Sequence, residues 1–121
     1  MPVPRVAAIH DLSCFGRCSL TIVMPTLSAM GVQCCPLPTA CLSTHTGGFQ
    51  NNTFLDLTAQ LEPIAAHWKA ESVTFDAVYT GFMSSQEQMS LTADFIQNFN
   101  RPDCQIIIDP VMGDHGTPYR T

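Results

Sequence analysis

Residues 6–37 read VAAIHDLSCFGRCSLTIVMPTLSAMGVQCCPL and contain the signals for a strand, a helix and a second strand in that order. The short apolar run at 6–9 predicts a buried strand. Apolar residues recur at helical spacing over 17–30, which predicts a helix with a bend at Pro25, because an interior proline removes a backbone donor and crowds the preceding turn. The next apolar run, 32–37, predicts a second strand. This β-α-β order is typical of parallel strand pairs.

The chain after residue 37 continues the alternation. A polar, glycine-containing loop at 44–52 is longer than a compact α/β connection needs, which is typical of binding loops. The stretch Thr53-Phe54-Leu55-Asp56 has the form of a capping box and predicts a helix through about Lys69, interrupted at Pro63. A second capping box, Ser84-Ser85-Gln86-Glu87, predicts a helix over 85–99. The apolar face of this helix is expected at Met89, Ala93, Ile96 and Phe99.

The resulting element order is β-α-β-α-β-α-β, with four strands that are short and continuously apolar, as in sheets covered on both faces. We therefore expect an α/β protein with three α/β/α layers and a mostly parallel sheet, in one domain over residues 1–121. Ligands bind outside the carboxyl ends of such strands. The strands are expected near residues 5–10, 32–37, 76–80 and 105–109.

Composition excludes several classes of protein. The 121 residues suit one domain, and 45% hydrophobic with only 12% charged residues excludes a disordered chain. A net charge of −5, with only five Lys and Arg residues, argues against a groove that binds nucleic acid. No apolar run approaches the roughly 18 residues of a membrane helix. The N-terminal residues have no secretory h-region, so we expect a cytoplasmic protein with no membrane partner.

The six cysteines are expected to be free thiols in a reducing compartment. Most are interpreted as small apolar residues, buried or half-buried. A zinc site is a weak alternative, because no paired CxxC or HxxxH pattern is present. A nucleophilic Cys14 or Cys18 is a further alternative, although neither has an evident base beside it.

Polar residues at the predicted strand ends are candidates for chemistry. Asp109 and Asp114 could supply two carboxylates for Mg²⁺ near a polyphosphate, or could be ordinary turn and capping residues. Asp11 precedes a glycine-containing turn that has neither the dinucleotide nor the Walker spacing. It could bind a small polar ligand or simply be solvated. The loop that contains His45 is either a closing loop or a polar surface loop, and Phe82 either stacks on a ligand or packs internally.

Four segments together resemble one family. They are residues 9–21 (IHDLSCFGRCSLT), 42–47 (LSTHTG), 80–83 (TGFM) and 109–114 (DPVMGD). In this order and at this spacing they are similar to motifs of the bacterial pyridoxal (pyridoxamine) kinases of the ribokinase-like superfamily. The related hydroxymethylpyrimidine kinases share the last two motifs more than the second.

The resemblance implies ATP-dependent phosphorylation of the 5′-hydroxymethyl group of a pyridoxine-type vitamer. By motif position, Asp11 would face the pyridine ring, His45 and Thr46 would contact the ring substituents, and Phe82 would pack on the ring. The partners would be the vitamer and ATP, and the full-length enzyme would be a homodimer.

On the nucleotide side, the resemblance implies that Asp109 and Asp114 lie by the ATP phosphates and their Mg²⁺. The family's glycine-rich anion hole, G-[ST]-G-D, contains the catalytic base and lies C-terminal to residue 121, so this chain would be an N-terminal portion with no catalytic base of its own. The alternatives are a hydroxymethylpyrimidine kinase of thiamine synthesis and a non-catalytic remnant.

Overall fold

The computed structural model describes residues 2–119 and contains a five-stranded sheet with helices on both faces, followed by a small hairpin. The elements are β1 (Arg5–Phe15), α1 (Leu20–Ala29), β2 (Gln33–Thr44), β3 (Phe54–Asp56), α2 (Thr58–Ala70), β4 (Ala77–Thr80), α3 (Gln86–Phe99), β5 (Gln105–Ile108), β6 (Gly113–Asp114) and β7 (Thr117–Pro118). The predicted α/β class is confirmed.

The sheet order is β3-β2-β1-β4-β5. The β1–β2, β1–β4 and β4–β5 pairs are parallel, so the four predicted strands form one parallel sheet as expected. The β2–β3 pair is antiparallel and adds an edge strand that the sequence analysis missed.

The helices divide between the two faces of the sheet. The chain moves from β1 to β2 in one direction and then crosses to β4 and β5 in the other, so right-handed crossovers place α1 on one face and α2 and α3 on the other. The α2–α3 face holds the main core, in which the Phe75 ring packs at tilted angles against Trp68, Phe95 and Phe99. Its sheet side is apolar and consists of Ala7, Ile9, Leu37 and Val78.

Strand β2 continues well past the predicted end at residue 37, through Pro36 and Pro38, to Thr44. Gln33 donates its N–H to the Pro4 carbonyl, on the β1 side. Successive residues of a strand point their backbone N–H groups to alternate sides. The backbone nitrogens of both prolines, which carry no hydrogen, therefore point away from β1. Pairing with β3 is confined to residues 40–42, so within the described chain the prolines fall where β2 lacks a second neighbour.

The predicted capping box at Thr53–Asp56 is wrong. Residues 54–56 form β3, and α2 begins only at Thr58, whose N–H donates to Asp56 Oδ1 at 2.7 Å. The three-residue strand was hidden because its polar neighbours resemble a helix start. Pro63 lies inside α2, which is a single helix over its 13 residues rather than two pieces.

Helix α3 is correct in extent, and the predicted face residues Phe99 and Ile96 are buried and packed against the core, respectively, but the cap and the start of the buried face were misassigned. The cap is Ser85, whose hydroxyl accepts from Gln88 N at 3.1 Å, rather than a Ser84–Glu87 pair. Met89 and Ala93 are exposed. The residues that α3 buries are Gln88, Thr92, Phe95 and Phe99, two of them polar.

Helix α1 is shorter than predicted and begins at Leu20 instead of residue 17. Ser19 precedes it with φ 48°, so the turn from β1 tightens before the helix starts. Pro25 lies within α1, which continues past it to Ala29. The helix is therefore continuous through Pro25, and the bend at Pro25 stays a prediction.

Candidate functional site

The carboxyl ends of the parallel strands form a stepped edge. The last β1–β4 pair is Ile9 with Thr80, and the last β4–β5 pair is Thr80 with Ile108. Beyond that level β1 and β2 continue alone, as a two-stranded extension with β3 at its side. The crossovers after β1 and β4 also lead to opposite faces of the sheet, and this switch point is where ligands bind in open α/β folds.

Asp11 lies at the base of the extension and is buried. Its Oδ1 accepts a 2.6 Å hydrogen bond from the Ser19 hydroxyl, and its Oδ2 accepts one of 3.1 Å from Ser13. Both carboxylate oxygens are therefore engaged within the chain, although each retains a further acceptor site. Asp11 thus fixes the β1–α1 turn at the position where it was predicted to meet a ligand.

His10 was not among the predicted site residues, yet it lies at the centre of the switch point. It is only 4% exposed, and the structure gives its Nε2 no hydrogen-bond partner within residues 2–119. Burial lowers the pKa of His10, against the opposing influence of Asp11 and Asp109. A buried imidazole with a lowered pKa is neutral at pH 7.

Gly81 provides the space that His10 occupies. A Cβ built on Gly81 would lie 2.2 Å from His10 Nδ1, so residue 81 must be glycine while the ring holds this position. The signal in the sequence was the pair of residues His10 and Gly81 at two predicted strand ends, which only the pairing of β1 with β4 brings together.

The loop after β2 folds against the β1–α1 turn. A Cβ on Gly16 would lie 2.8 Å from His45 Cδ2, so the imidazole packs directly on the glycine backbone. His45 also packs edge-on against Phe49 at 5.0 Å, and Phe49 in turn against Phe15 at 5.9 Å. The predicted site residue Thr46 follows His45 and is exposed.

Phe82 follows β4 and is half-buried, with the Tyr119 ring 6.1 Å away in an edge arrangement. Gln88 anchors the segment that carries Phe82. The Gln88 amide accepts from Ser84 N and donates to the Thr39 carbonyl and to Thr58 Oγ1. One fully buried amide therefore joins the starts of α2 and α3 to β2.

Asp109 and Asp114 lie on the β5 side, and both are exposed. Asp109 N donates to the Thr80 carbonyl at 3.2 Å, which holds Asp109 at the end of the sheet. Asp114 is in β6, where its Oδ1 accepts from His115 N. Exposed carboxylate oxygens suit Mg²⁺, which keeps several water ligands. Within residues 2–119, however, no group of three His, Cys, Asp or Glu side chains is arranged to hold a metal ion.

Solved structures of other proteins share this fold. No family model matches the sequence. The structure superposes with TM-score 0.94 and 52% identity on a Bacteroides thetaiotaomicron protein, provisionally named a phosphomethylpyrimidine kinase, in a crystal form with pyridoxal. It superposes with TM-score 0.87 and 30% identity on the pyridoxal kinase of Lactobacillus plantarum. The fold is that of the ribokinase-like kinases.

The match covers 98% of this chain in both cases, but the chain spans only 41% and 42% of those two proteins. The ribokinase-like fold is also shared with the Leishmania donovani pyridoxal kinase in complex with ADP and pyridoxamine, at 20% identity and TM-score 0.83 over 97% of this chain and 44% of that one. Among the helices of residues 2–119, none is long and apolar enough to cross a membrane.

Proposed function

We propose that this chain forms the vitamer-binding part of a kinase that transfers the γ-phosphoryl group of ATP to the 5′-hydroxymethyl group of pyridoxal or a related B6 vitamer. The observation that carries the proposal is the 52% identity to a protein crystallised with pyridoxal. In the reaction the hydroxyl oxygen attacks the γ-phosphorus, the bond to the β-phosphate oxygen breaks, and ADP leaves. By the family resemblance, the base that accepts the hydroxyl proton would lie in the part of such kinases that this chain does not span.

The stepped edge supports separate binding regions for the vitamer and for the nucleotide. The β1–β2 extension offers Asp11, His45 and Thr46 as polar contacts for a small ring, and Phe82 offers a flat apolar neighbour at the level where β4 ends. Asp109 and Asp114, on the β5 side, would bind the Mg²⁺ that accompanies the nucleotide phosphates. The cytoplasmic location and the homodimer stay predictions from the sequence.

The test is a chimera in which residues 1–118 precede the remaining sequence of the Bacteroides relative. We expect the chimera to phosphorylate pyridoxal, measured as pyridoxal 5′-phosphate by liquid chromatography, and the 121-residue chain alone to show no turnover at an enzymatic rate. A chimera that folds with a cooperative unfolding transition but forms no product would contradict the proposal.

Steady-state kinetics of the chimera test the division of the site. Thr46→Val is expected to raise KM for pyridoxal by about tenfold, from the loss of one polar contact, and to leave KM for ATP unchanged. Asp114→Asn is expected to impair the use of ATP and Mg²⁺ while leaving KM for pyridoxal unchanged. The reverse pattern would show that the two sides are misassigned.

Hydroxymethylpyrimidine phosphorylation is the second candidate. The resemblance names this acceptor, and the provisional name of the same relative, a phosphomethylpyrimidine kinase, also indicates a pyrimidine substrate. Competition separates the two activities. The chimera is given pyridoxal and hydroxymethylpyrimidine at equal concentrations, and the first product formed identifies the preferred acceptor.

A further inference from the structure

Two cysteine thiols in the β1–β2 extension take no part in the proposed phosphoryl transfer. The Sγ atoms of Cys14 in β1 and Cys41 in β2 lie 3.8 Å apart. Cys14 is exposed and Cys41 is half-buried. All six cysteines are free thiols, and this contact joins two of them across neighbouring strands.

A bulge in β2 is the reason why the two thiols meet. His10 pairs with Pro38 and Leu12 pairs with Cys41, so β2 uses three residues where β1 uses two. His10, Leu12 and Cys14 alternate onto one face of β1, and the extra residue in β2 brings Cys41 onto that same face. In a regular strand, Cys41 would point to the opposite face of the sheet from Cys14.

We propose that Cys14 and Cys41 are a site of reversible oxidation and form a disulfide bond when the protein meets a peroxide. The Cys14 thiolate attacks one oxygen of hydrogen peroxide, the O–O bond breaks, and the leaving hydroxide takes up the thiol proton as water. Cys14 is then a sulfenic acid. The Cys41 thiolate attacks this sulfur, the S–S bond forms and the S–O bond breaks, and a second water leaves with the proton of Cys41.

Exposure assigns the order of the two steps. Cys14 reacts with the oxidant first because it is exposed. The half-buried Cys41 is the resolving thiol, which attacks the oxidised sulfur of Cys14. The hydrogen bond to Cys14, followed by burial, raises the pKa of Cys41, which keeps the second thiol protonated while Cys14 is reduced. To bond, the sulfurs must approach by about 1.8 Å, from 3.8 Å to the length of an S–S bond.

The other cysteines are placed less favourably. Cys34 and Cys35 are adjacent in β2, so their side chains point to opposite faces, and burial raises the pKa of both. Burial also raises the pKa of Cys104, which lies just before β5. Cys18 lies beside Gly16 in the turn after β1 and is the alternative partner for Cys14.

Peptide mapping detects a disulfide bond at Cys14. The protein is treated with hydrogen peroxide, its remaining thiols are blocked with iodoacetamide, and it is digested with trypsin. Cleavage after Arg5, Arg17 and Lys69 leaves Cys14 alone in residues 6–17. The peptide 18–69 contains Cys18, Cys34, Cys35 and Cys41, so substitutions are needed to identify the partner. The expected product is a cross-link between these two peptides that dithiothreitol removes. A parallel sample oxidised inside intact cells before acid quenching gives the same readout without purification.

Two matched variants decide the assignment. Cys41→Ser is expected to lower the yield of the cross-link by about tenfold or more, because the intramolecular partner is lost. Cys18→Ser is expected to leave the yield unchanged. A cross-link that survives Cys41→Ser, one that disappears in Cys18→Ser, or oxidation of Cys14 to the sulfinic acid without any cross-link would overturn the proposal.

Discussion

On the β1–β2 side of the carboxyl edge, side chains join the β1–α1 turn to β1 and to the loop after β2. On the β5 side, two carboxylates are exposed to solvent. Asp11 accepts hydrogen bonds from Ser13 and Ser19, and His45 packs on the backbone of Gly16. The hydrogen bond that holds Asp109 to the sheet is made by its backbone N–H, and its side chain is exposed. The first side is preorganised by contacts within the chain, so changes there are expected to alter stability. The second side has exposed carboxylates, which the proposed function assigns to the nucleotide and its Mg²⁺.

The largest expected effect is that of Gly81→Ala. A methyl group 2.2 Å from His10 Nδ1 forces the buried ring or the strand end to move, and we expect a loss of about 3 kcal/mol in the free energy of unfolding. The measurement is urea unfolding followed by the fluorescence of Trp68. Gly47→Ala is the matched control, since its Cβ would meet only His45 Nδ1 at an ordinary 3.8 Å. Equal losses in the two variants would show that the His10–Gly81 contact is unimportant.

Ser19→Ala comes next. It removes the 2.6 Å hydrogen bond to a buried carboxylate, and the expected loss in the free energy of unfolding is about 2 kcal/mol. Ser28→Ala, at an exposed position in α1, serves as the control in the same urea experiment. If Ser19→Ala unfolds at the same urea concentration as the control, Asp11 does not depend on Ser19 for its position.

The buried His10 gives a pH dependence of known sign. Its pKa is lowered in the folded state, so between the unfolded value of 6.5 and the folded value the unfolded chain binds the extra proton. Stability therefore falls as the pH drops below about 6.5, with a limiting slope of about 1.4 kcal/mol per pH unit from this one group. His10→Gln should flatten the profile in this window, and the exposed His67→Gln should leave it unchanged. Parallel profiles for all three proteins would contradict the assignment.

The smallest effect is expected on the β5 side. Asp109→Asn should change the free energy of unfolding by less than about 0.5 kcal/mol, because the side chain is exposed. In the chimera the same variant should weaken the use of Mg²⁺ and ATP, measured as a higher Mg²⁺ requirement. A large loss of stability would mean that Asp109 is a structural residue, and the contrast between the two sides would fail.

The sequence predicted the parallel sheet because short apolar runs alternate with helical periodicity, and this signal is local. It could not predict the burial of Gln88 and Thr92. Hydrophobic patterning assigns polar residues to the surface, so it chose the exposed Met89 and Ala93, each one residue beyond the buried pair. Strand β3 was missed because three residues carry too little periodicity to outweigh a capping signal.

The candidate site was predicted in part, for a similar reason. Apolar runs are visible in a sequence, so Asp11 and Asp109 were selected because each follows one, and their roles stay predictions. Asp11 nevertheless lies inside β1, which continues past the predicted end at residue 10 to Phe15. The importance of His10 depends on which strand lies beside β1, and that is a long-range property. The contact between His45 and Gly16 likewise joins two loops that are separated by a helix and a strand.

Pro36 and Pro38 have a consequence for self-association. Along the part of β2 that precedes its pairing with β3, the outward N–H positions are 34, 36 and 38, and two of these three are prolines. A strand from a second molecule that approached there would find carbonyl acceptors but only one donor, so sheet extension on this side is disfavoured. The opposite edge has no such protection: β5 contains no proline, and its Ile108 is 63% exposed. Of these two segments, residues 34–38 of β2 and β5, a further strand is therefore expected to add beside β5.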